Sequence, residues 1–391
     1  MRAARYYGKE DVRIEETPRP VLSPGQILIK PSHVGICGTD LHEYIAGPTY
    51  VALSLPTTAP FLPLPITAIK ERLLTIHDRF APIEPHAVTR ETIPIGMGHE
   101  FSGTILEVHP DVPNAENFKP GQKCAIQPTI FCQSCGACRN GVENACANGG
   151  FIGLSGGGGG LSEAVAVPWD AVLPLPENVE LDTGALVEPL SVAWHAVSAS
   201  PLLEIGASNA SVLVLGGGPI GLAVVQVLVA HGTKKIIMSE IAAQRQAFAR
   251  EFGAHHVLAP NVYDVVGVSR ELCHGEGPDI VFDCAGVPAS FESACKAIKA
   301  RGTVVNVAIW EKPVSFNPNS LVFNEGKYVG VLGYQRKDFV EVIKAIADGR
   351  LQPNKMITRK IPLNDLVEKG ILALIKEKDR HVKILVDMEM A

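Results

Sequence analysis

Four cysteines, Cys132, Cys135, Cys138 and Cys146, stand in the stretch FCQSCGACRNGVENAC with the spacing C-x2-C-x2-C-x7-C. Thiolates are soft ligands, and four of them on one short loop can close a tetrahedron around Zn²⁺ with no coordination position left open. A closed site of this kind holds a lobe together and does no catalysis. Two disulfides in an exported domain would be the competing reading. No export signal is expected in MRAARYYGKEDVRIEE, and intracellular thiols stay reduced, so the metal reading is preferred.

A second chemistry is written in GGGPIG (216–221), which supplies G-x-G-x-x-G as Gly216, Gly218 and Gly221. The glycines follow the apolar strand SVLVL and open the helical run PIGLAVVQVLVAHG, which includes Ile220. An acid, Glu240, answers them at the end of the next strand, KIIMSE. This context lets the backbone approach a pyrophosphate at a helix N-terminus, while the carboxylate accepts ribose hydroxyls and repels a 2′-phosphate. NAD is therefore expected over NADP. Arg245, five residues on, is a cation that could instead meet a phosphate. A further run, SGGGGGLSE (155–163), leads into a strand and is read as a flexible turn.

Elements to position these groups follow from the pattern. Residues 1–184 are dense in short apolar runs broken by Pro and Gly, such as QILIKPSHVGI, FSGTILEV and LSEAVAVP, and predict an antiparallel, barrel-like lobe. Over 185–336, strands alternate with helices of about 12 residues, which predicts right-handed βαβ units and a doubly wound parallel sheet. The segment 337–391, with two helical stretches and a last strand HVKILVDM, is expected to return to the first lobe. Cys124, Cys273, Cys284 and Cys295 lie in apolar patterns and read as core.

The chain has 391 residues, with 46% hydrophobic and 19% charged residues and a net charge of −6. Such a balance suits a globular enzyme and offers no basic surface to nucleic acid or anionic membrane. With no apolar stretch of about 20 residues, a cytoplasmic protein is expected.

Three short pieces, GICGTDLHEY (35–44), GMGHEFSG (96–103) and ALVEPLSVAWHAV (185–197), complete the set. Together with the cysteine loop and the nucleotide turn they resemble the zinc-dependent medium-chain dehydrogenases over nearly the whole chain. The match is nearest the polyol branch and its 2,3-butanediol dehydrogenases. The resemblance implies a GroES-like β-barrel catalytic domain, a Rossmann NAD domain and two Zn²⁺ per chain. It also implies a homodimer or homotetramer. By position, Cys37, His99, Glu100 and Glu188 match the catalytic zinc shell, and Thr39 and His42 the proton relay. Val307 and Ile309 are expected to join the cofactor contacts. An open zinc polarises an alcohol oxygen, and hydride then passes to the nicotinamide. In sorbitol-type relatives an arginine stands where Gly333 stands here, which favours a small vicinal diol such as 2,3-butanediol, oxidised to acetoin. A sorbitol- or xylitol-type activity is the alternative. His195 is expected to be a packing residue.

One segment departs from the family. His99 follows Cys37 by 62 positions, and the excess falls in 50–79, YVALSLPTTAPFLPLPITAIKERLLTIHDR. Two readings stay open. One is a lid with ITAIKERLLTI as a short amphipathic helix. The other is a translated intron: Thr49-Tyr50-Val51 can encode a GTATGT donor, Leu74-Thr75 a CTAAC branch sequence and Arg79 an AG acceptor. An apolar insert there could block the site, which would leave a zinc- and NAD-binding protein with little activity.

Overall fold

The computed structural model describes residues 1–48, 81–310 and 313–390. The 50–79 insertion lies outside the described residues. The chain divides into two compact units. The first comprises Met1–Glu177, Lys360–Ile375 and Leu385–Ala391, and the second Asn178–Arg359 and Lys376–Ile384.

In the first unit the long strand Gln26–Gly35 is the organising element. It pairs antiparallel with Glu100–Val108, with Val165–Pro168 and, through His33–Gly35, with Leu385–Asp387. Lys123–Ile126 and Val172–Pro174 extend this sheet beyond Glu100–Val108. Ile27, Ile29, Val34, Phe101, Ile105 and Ile126 are buried, each worth about 1.5–3 kcal/mol relative to exposure. A smaller sheet joins Arg2–Gly8 to Asp11–Glu16 and Ile95–Gly96. This is the GroES-like lobe.

The glycine run of this unit is a turn, and hydrogen bonds tie it to the segments on either side. Gly160 donates its amide to the Gly98 carbonyl (2.8 Å), and Leu161 donates to Met97 (2.9 Å). The Gly157 amide donates to Glu91 (2.8 Å) and the Thr89 hydroxyl to the Ser155 carbonyl (2.8 Å). Small residues let two stretches of backbone meet here, a reason the sequence pattern alone does not reveal.

The second unit carries a six-stranded, all-parallel sheet. Its spatial order is His256–Leu258, Lys235–Ser239, Ser211–Leu215, Ile280–Asp283, Thr303–Asn306, Lys327–Gly330. The order reverses beside Ser211–Leu215, the first strand of the unit, and ligands of open parallel sheets bind at such a switch point. Leu213, Ile237, Val281 and Val304 pack with Ala294, Ala297 and Ile298 in its core. The helix Pro219–Ala230 buries every residue from Gly221 to Leu228, as a helix covered on several sides must.

Placement of the tail differs from the expectation that all of 337–391 joins the first lobe. The helix Arg336–Ala347 belongs to the second unit, where it buries Phe339, Val342 and Ala345 and packs on the helix Val187–Ser198. Asp338 fixes it there through His195 Nδ1 at 2.8 Å, in agreement with a packing role for His195. Leu181–Gly184 also belongs to the second unit, so the first break falls at 177/178 rather than 184/185. An amphipathic stripe shows that a face is buried, not what buries it.

Candidate active site and cofactor sites

Cys37 lies just past the strand Gln26–Gly35 and caps the helix Gly38–Ala46. His99 and Glu100 stand where the neighbouring strand begins, and the antiparallel register sets Glu100 opposite Gly35. The ladder thus joins residues 62 positions apart in the chain: ligand atoms of Cys37, His99 and Glu100 all lie within 4.8 Å of one another. Glycine at 35 leaves room for the Glu100 carboxylate, whose Oε2 a Cβ there would displace. His99 and Glu100 are 4% and 1% exposed. A thiolate, an imidazole and a carboxylate converging in a buried space fit Zn²⁺, whose charge offsets their desolvation.

Thr39 is half-buried on the first turn of the same helix, its hydroxyl 3.7 Å from Cys37 Sγ. His42 is exposed one turn further on. Glu188 belongs to the second unit, where it is buried on the first turn of Val187–Ser198.

The sulfurs of Cys132, Cys135, Cys138 and Cys146 also lie within 4.8 Å of one another, and none is in a disulfide. Cys135 and Cys138 are 3.5 Å apart, and so are Cys146 and Cys132. The Ser134 amide, aided by its hydroxyl, pulls the Cys132 thiol down to about 5. Amides of Cys138 and Ala147 likewise lower Cys135. Burial pushes Cys146 up to about 12, a cost that a bound cation removes. Backbone amides aimed at sulfur and a closed set of four thiols suit a structural zinc.

In the second unit the strand Ser211–Leu215 turns at Gly216 (φ +92°) into the helix Pro219–Ala230, whose cap is Gly218. A Cβ on Gly221 would collide with the Gly216 carbonyl oxygen, so the turn demands its third glycine. Glu240 is keyed to this turn: Oε2 accepts the Gly217 amide at 2.6 Å and Oε1 the Ala242 amide at 2.7 Å. Arg245 donates to the Lys378 carbonyl at 2.7 Å. Val307 is buried and Ile309 is 56% exposed, while Ile220 is half-buried.

Known proteins resemble this chain over nearly its whole length. The zinc-binding dehydrogenase family matches residues 219–348, and the alcohol dehydrogenase GroES-like domain matches residues 75–177. A curated (R,R)-butanediol dehydrogenase of Bacillus subtilis is 38% identical over 386 residues, covering 99% of each chain. Another, of Neisseria gonorrhoeae, is 36% identical over 389 residues and covers 99% of both. The crystal structure of 2R,3R-butanediol dehydrogenase from Bacillus subtilis superposes with a TM-score of 0.84 at 36% identity, over 99% of each chain. The chain belongs to the zinc-binding dehydrogenases.

Within this dehydrogenase the sequence reading passed over Asp40. Its Oδ2 accepts the Cys37 amide at 2.9 Å, and its Oδ1 lies 3.7 Å from His99 Nδ1. An acid three residues after a helix cap is a readable signal for the first contact. Nothing local announces the second. Gly333 takes φ +52°, and a Cβ there would meet nothing within 4 Å, so a longer side chain is opposed by backbone conformation and not by space.

Proposed function

We propose that this dehydrogenase oxidises a small vicinal diol, (R,R)-2,3-butanediol to acetoin, with NAD, and runs the reverse reduction. The convergence of Cys37, His99 and Glu100 at one strand end carries the reading, together with the relatives named as butanediol dehydrogenases. Zinc at that cluster supplies a Lewis acid for the alcohol or carbonyl oxygen, and NAD supplies the hydride acceptor. Glu188 is proposed to complete the shell. The Thr39 hydroxyl takes the substrate proton, and the exposed His42 imidazole passes it to solvent. The Gly216–Gly221 turn admits the pyrophosphate, and Ile220, Val307 and Ile309 contribute apolar contacts.

Glu240 binds the ribose hydroxyls of NAD, and its buried charge opposes the 2′-phosphate of NADP. The bond from Arg245 to Lys378 supports the same preference by engaging the cation that could favour NADP. Gly333 supports a diol over sorbitol, since it offers no side-chain donor to a long polyol.

A homodimer or homotetramer is proposed from the sheet edge at Lys327–Gly330. There Tyr328 is 44% exposed, with Val322 at 62% and Phe323 at 83% close by in the chain. Open edges flanked by apolar side chains suit pairing with a second copy. Cysteines free of disulfides support a cytoplasmic location.

The test is NADH formation by purified, zinc-loaded full-length protein offered (R,R)-2,3-butanediol and sorbitol in parallel. Strong turnover of the diol and little of sorbitol is expected. A sorbitol rate equal to the diol rate overturns the substrate reading. Silence with both, from protein holding two zincs, moves the question to the insert, and a deletion joining Thr49 to Phe80 then tests whether 50–79 suppresses activity.

A further inference from the structure

Asp283 ends the strand Ile280–Asp283 in the interior of the parallel sheet. It is in register with Leu215 on one side and Asn306 on the other. Leu215 runs directly into Gly216 of the nucleotide turn, and Asn306 directly into Val307. The residue is fully buried. Its Oδ1 accepts the amides of Ala285 (3.1 Å) and Gly286 (3.2 Å) and lies 2.9 Å from the Ser290 hydroxyl. Its backbone carbonyl accepts the amides of Val307 (2.9 Å) and Ala308 (3.1 Å). One residue therefore holds the turn 284–286 and the start of the 307–309 segment at once.

The turn it holds is a wall of the glycine fingerprint. A Cβ added to Gly216 would lie 2.9 Å from the Ala285 Cβ, and one added to Gly286 would lie 2.8 Å from the Ala308 Cβ. Such clearances pass a shift of 284–286 on to both neighbours. Asp283 Oδ2 has no hydrogen-bond partner among the described residues. The carboxylate is thus engaged through one oxygen, by two amides and by the Ser290 hydroxyl that it shares with the Val287 carbonyl, and not as a member of an ion pair.

We propose that Asp283 is a positioning residue of the nucleotide site: without touching the cofactor, it sets the spacing between the Gly216–Gly221 turn and the 307–309 segment, and so sets affinity for NAD. The inference rests on the NAD reading above. Because acceptance rather than charge is the operative property, an asparagine, whose amide oxygen accepts the same three donors, replaces it. An alanine leaves the part-buried amides of Ala285 and Gly286 without their side-chain acceptor and frees the turn.

The experiment compares the zinc-loaded full-length protein with Asp283→Asn, Asp283→Ala and Ser290→Ala, by NADH fluorescence titration and by steady-state kinetics in NAD. Asp283→Ala is expected to raise the NADH Kd and the KM for NAD about tenfold or more, with kcat within about threefold. Asp283→Asn should stay within about threefold of the unmodified protein in both. Ser290→Ala, which removes one donor and keeps the carboxylate, should raise the KM for NAD about threefold, and it carries the test if Asp283→Ala does not fold. The proposal is overturned by an Asp283→Ala variant that binds NADH normally, by an Asp283→Asn variant as impaired as Asp283→Ala, or by losses confined to kcat. An unchanged KM in Ser290→Ala overturns it as well. Failure of the unmodified protein to bind NADH overturns the cofactor reading itself, and this proposal with it.

Discussion

Asp40 and His99 face each other in the first unit, Oδ1 of one 3.7 Å from Nδ1 of the other, while the second oxygen of Asp40 holds the Cys37 amide at 2.9 Å. One buried carboxylate thus holds the amide of one of the four proposed zinc donors and faces the imidazole of another. A carboxylate behind an imidazole would raise its basicity as a ligand when zinc is bound.

Replacing Asp40 with alanine is therefore expected to weaken catalytic zinc binding by about 10- to 100-fold, with activity falling in parallel at limiting zinc. Competition against a chromogenic chelator reads the affinity directly. Affinity equal to that of the unmodified protein would show that the carboxylate serves only as a helix cap.

Closure of the four-cysteine site predicts a different loss. Cys146 is fully buried and sits 3.5 Å from Cys132 and 3.8 Å from Cys135. Cys146→Ser should lower zinc content from two to one per chain and reduce thermal stability, because the loop then lacks its fourth soft ligand. Metal analysis by mass spectrometry under native conditions gives the count. Two zincs retained by the variant would sink the assignment.

How much of this was legible in the chain depended on distance along it. The four cysteines and the Gly216–Gly221 turn declare themselves because each is one local segment whose spacing carries its geometry. Cys37 and His99 are separated by 62 positions, and only the pairing of Gly35 with Glu100 brings them together. Family resemblance joined them in the sequence; spacing could not. The approach of Asp40 to His99 and the bonds from Val307 and Ala308 to the Asp283 carbonyl depend on the same kind of non-local register, so they were not read. Phe339 and Val342 marked an inward face of the helix Arg336–Ala347, yet nothing in that stripe named Val187–Ser198 as its partner.

The proposed cofactor preference rests on Glu240, the carboxylate that the glycine turn holds. Glu240 accepts the amides of Gly217 and Ala242, so Glu240→Ala removes the proposed ribose acceptor and leaves a turn amide without its partner. Loss of a buried acceptor costs about 1–3 kcal/mol, and the KM for NAD should rise about tenfold or more. The KM for NADP should change less or fall, since the repelling charge is gone. A ratio of kcat/KM values for NAD and NADP that does not move would remove Glu240 from discrimination.

The last expectation concerns pH. The His231 ring lies 4.7 Å from the Trp194 ring, and the Arg350 guanidinium lies 5.9 Å from the centroid of the same indole. Burial, and then the charge of Arg350, holds the His231 pKa below its ordinary 6.5. The folded state keeps the imidazole neutral, whereas the unfolded chain takes up a proton below about 6.5. Protons therefore favour unfolding as pH falls from about 6.5 through the lower folded value, and the stabilising contribution is complete only above that window. His231→Phe keeps a ring against Trp194 and abolishes the titration. The fall in melting temperature between about pH 7.5 and 5.5 should be smaller in the variant than in the unmodified protein. His381, lowered by burial and by Arg359, leaves a remainder. Equal falls in both proteins would show that the neutral His231 imidazole contributes nothing to acid sensitivity.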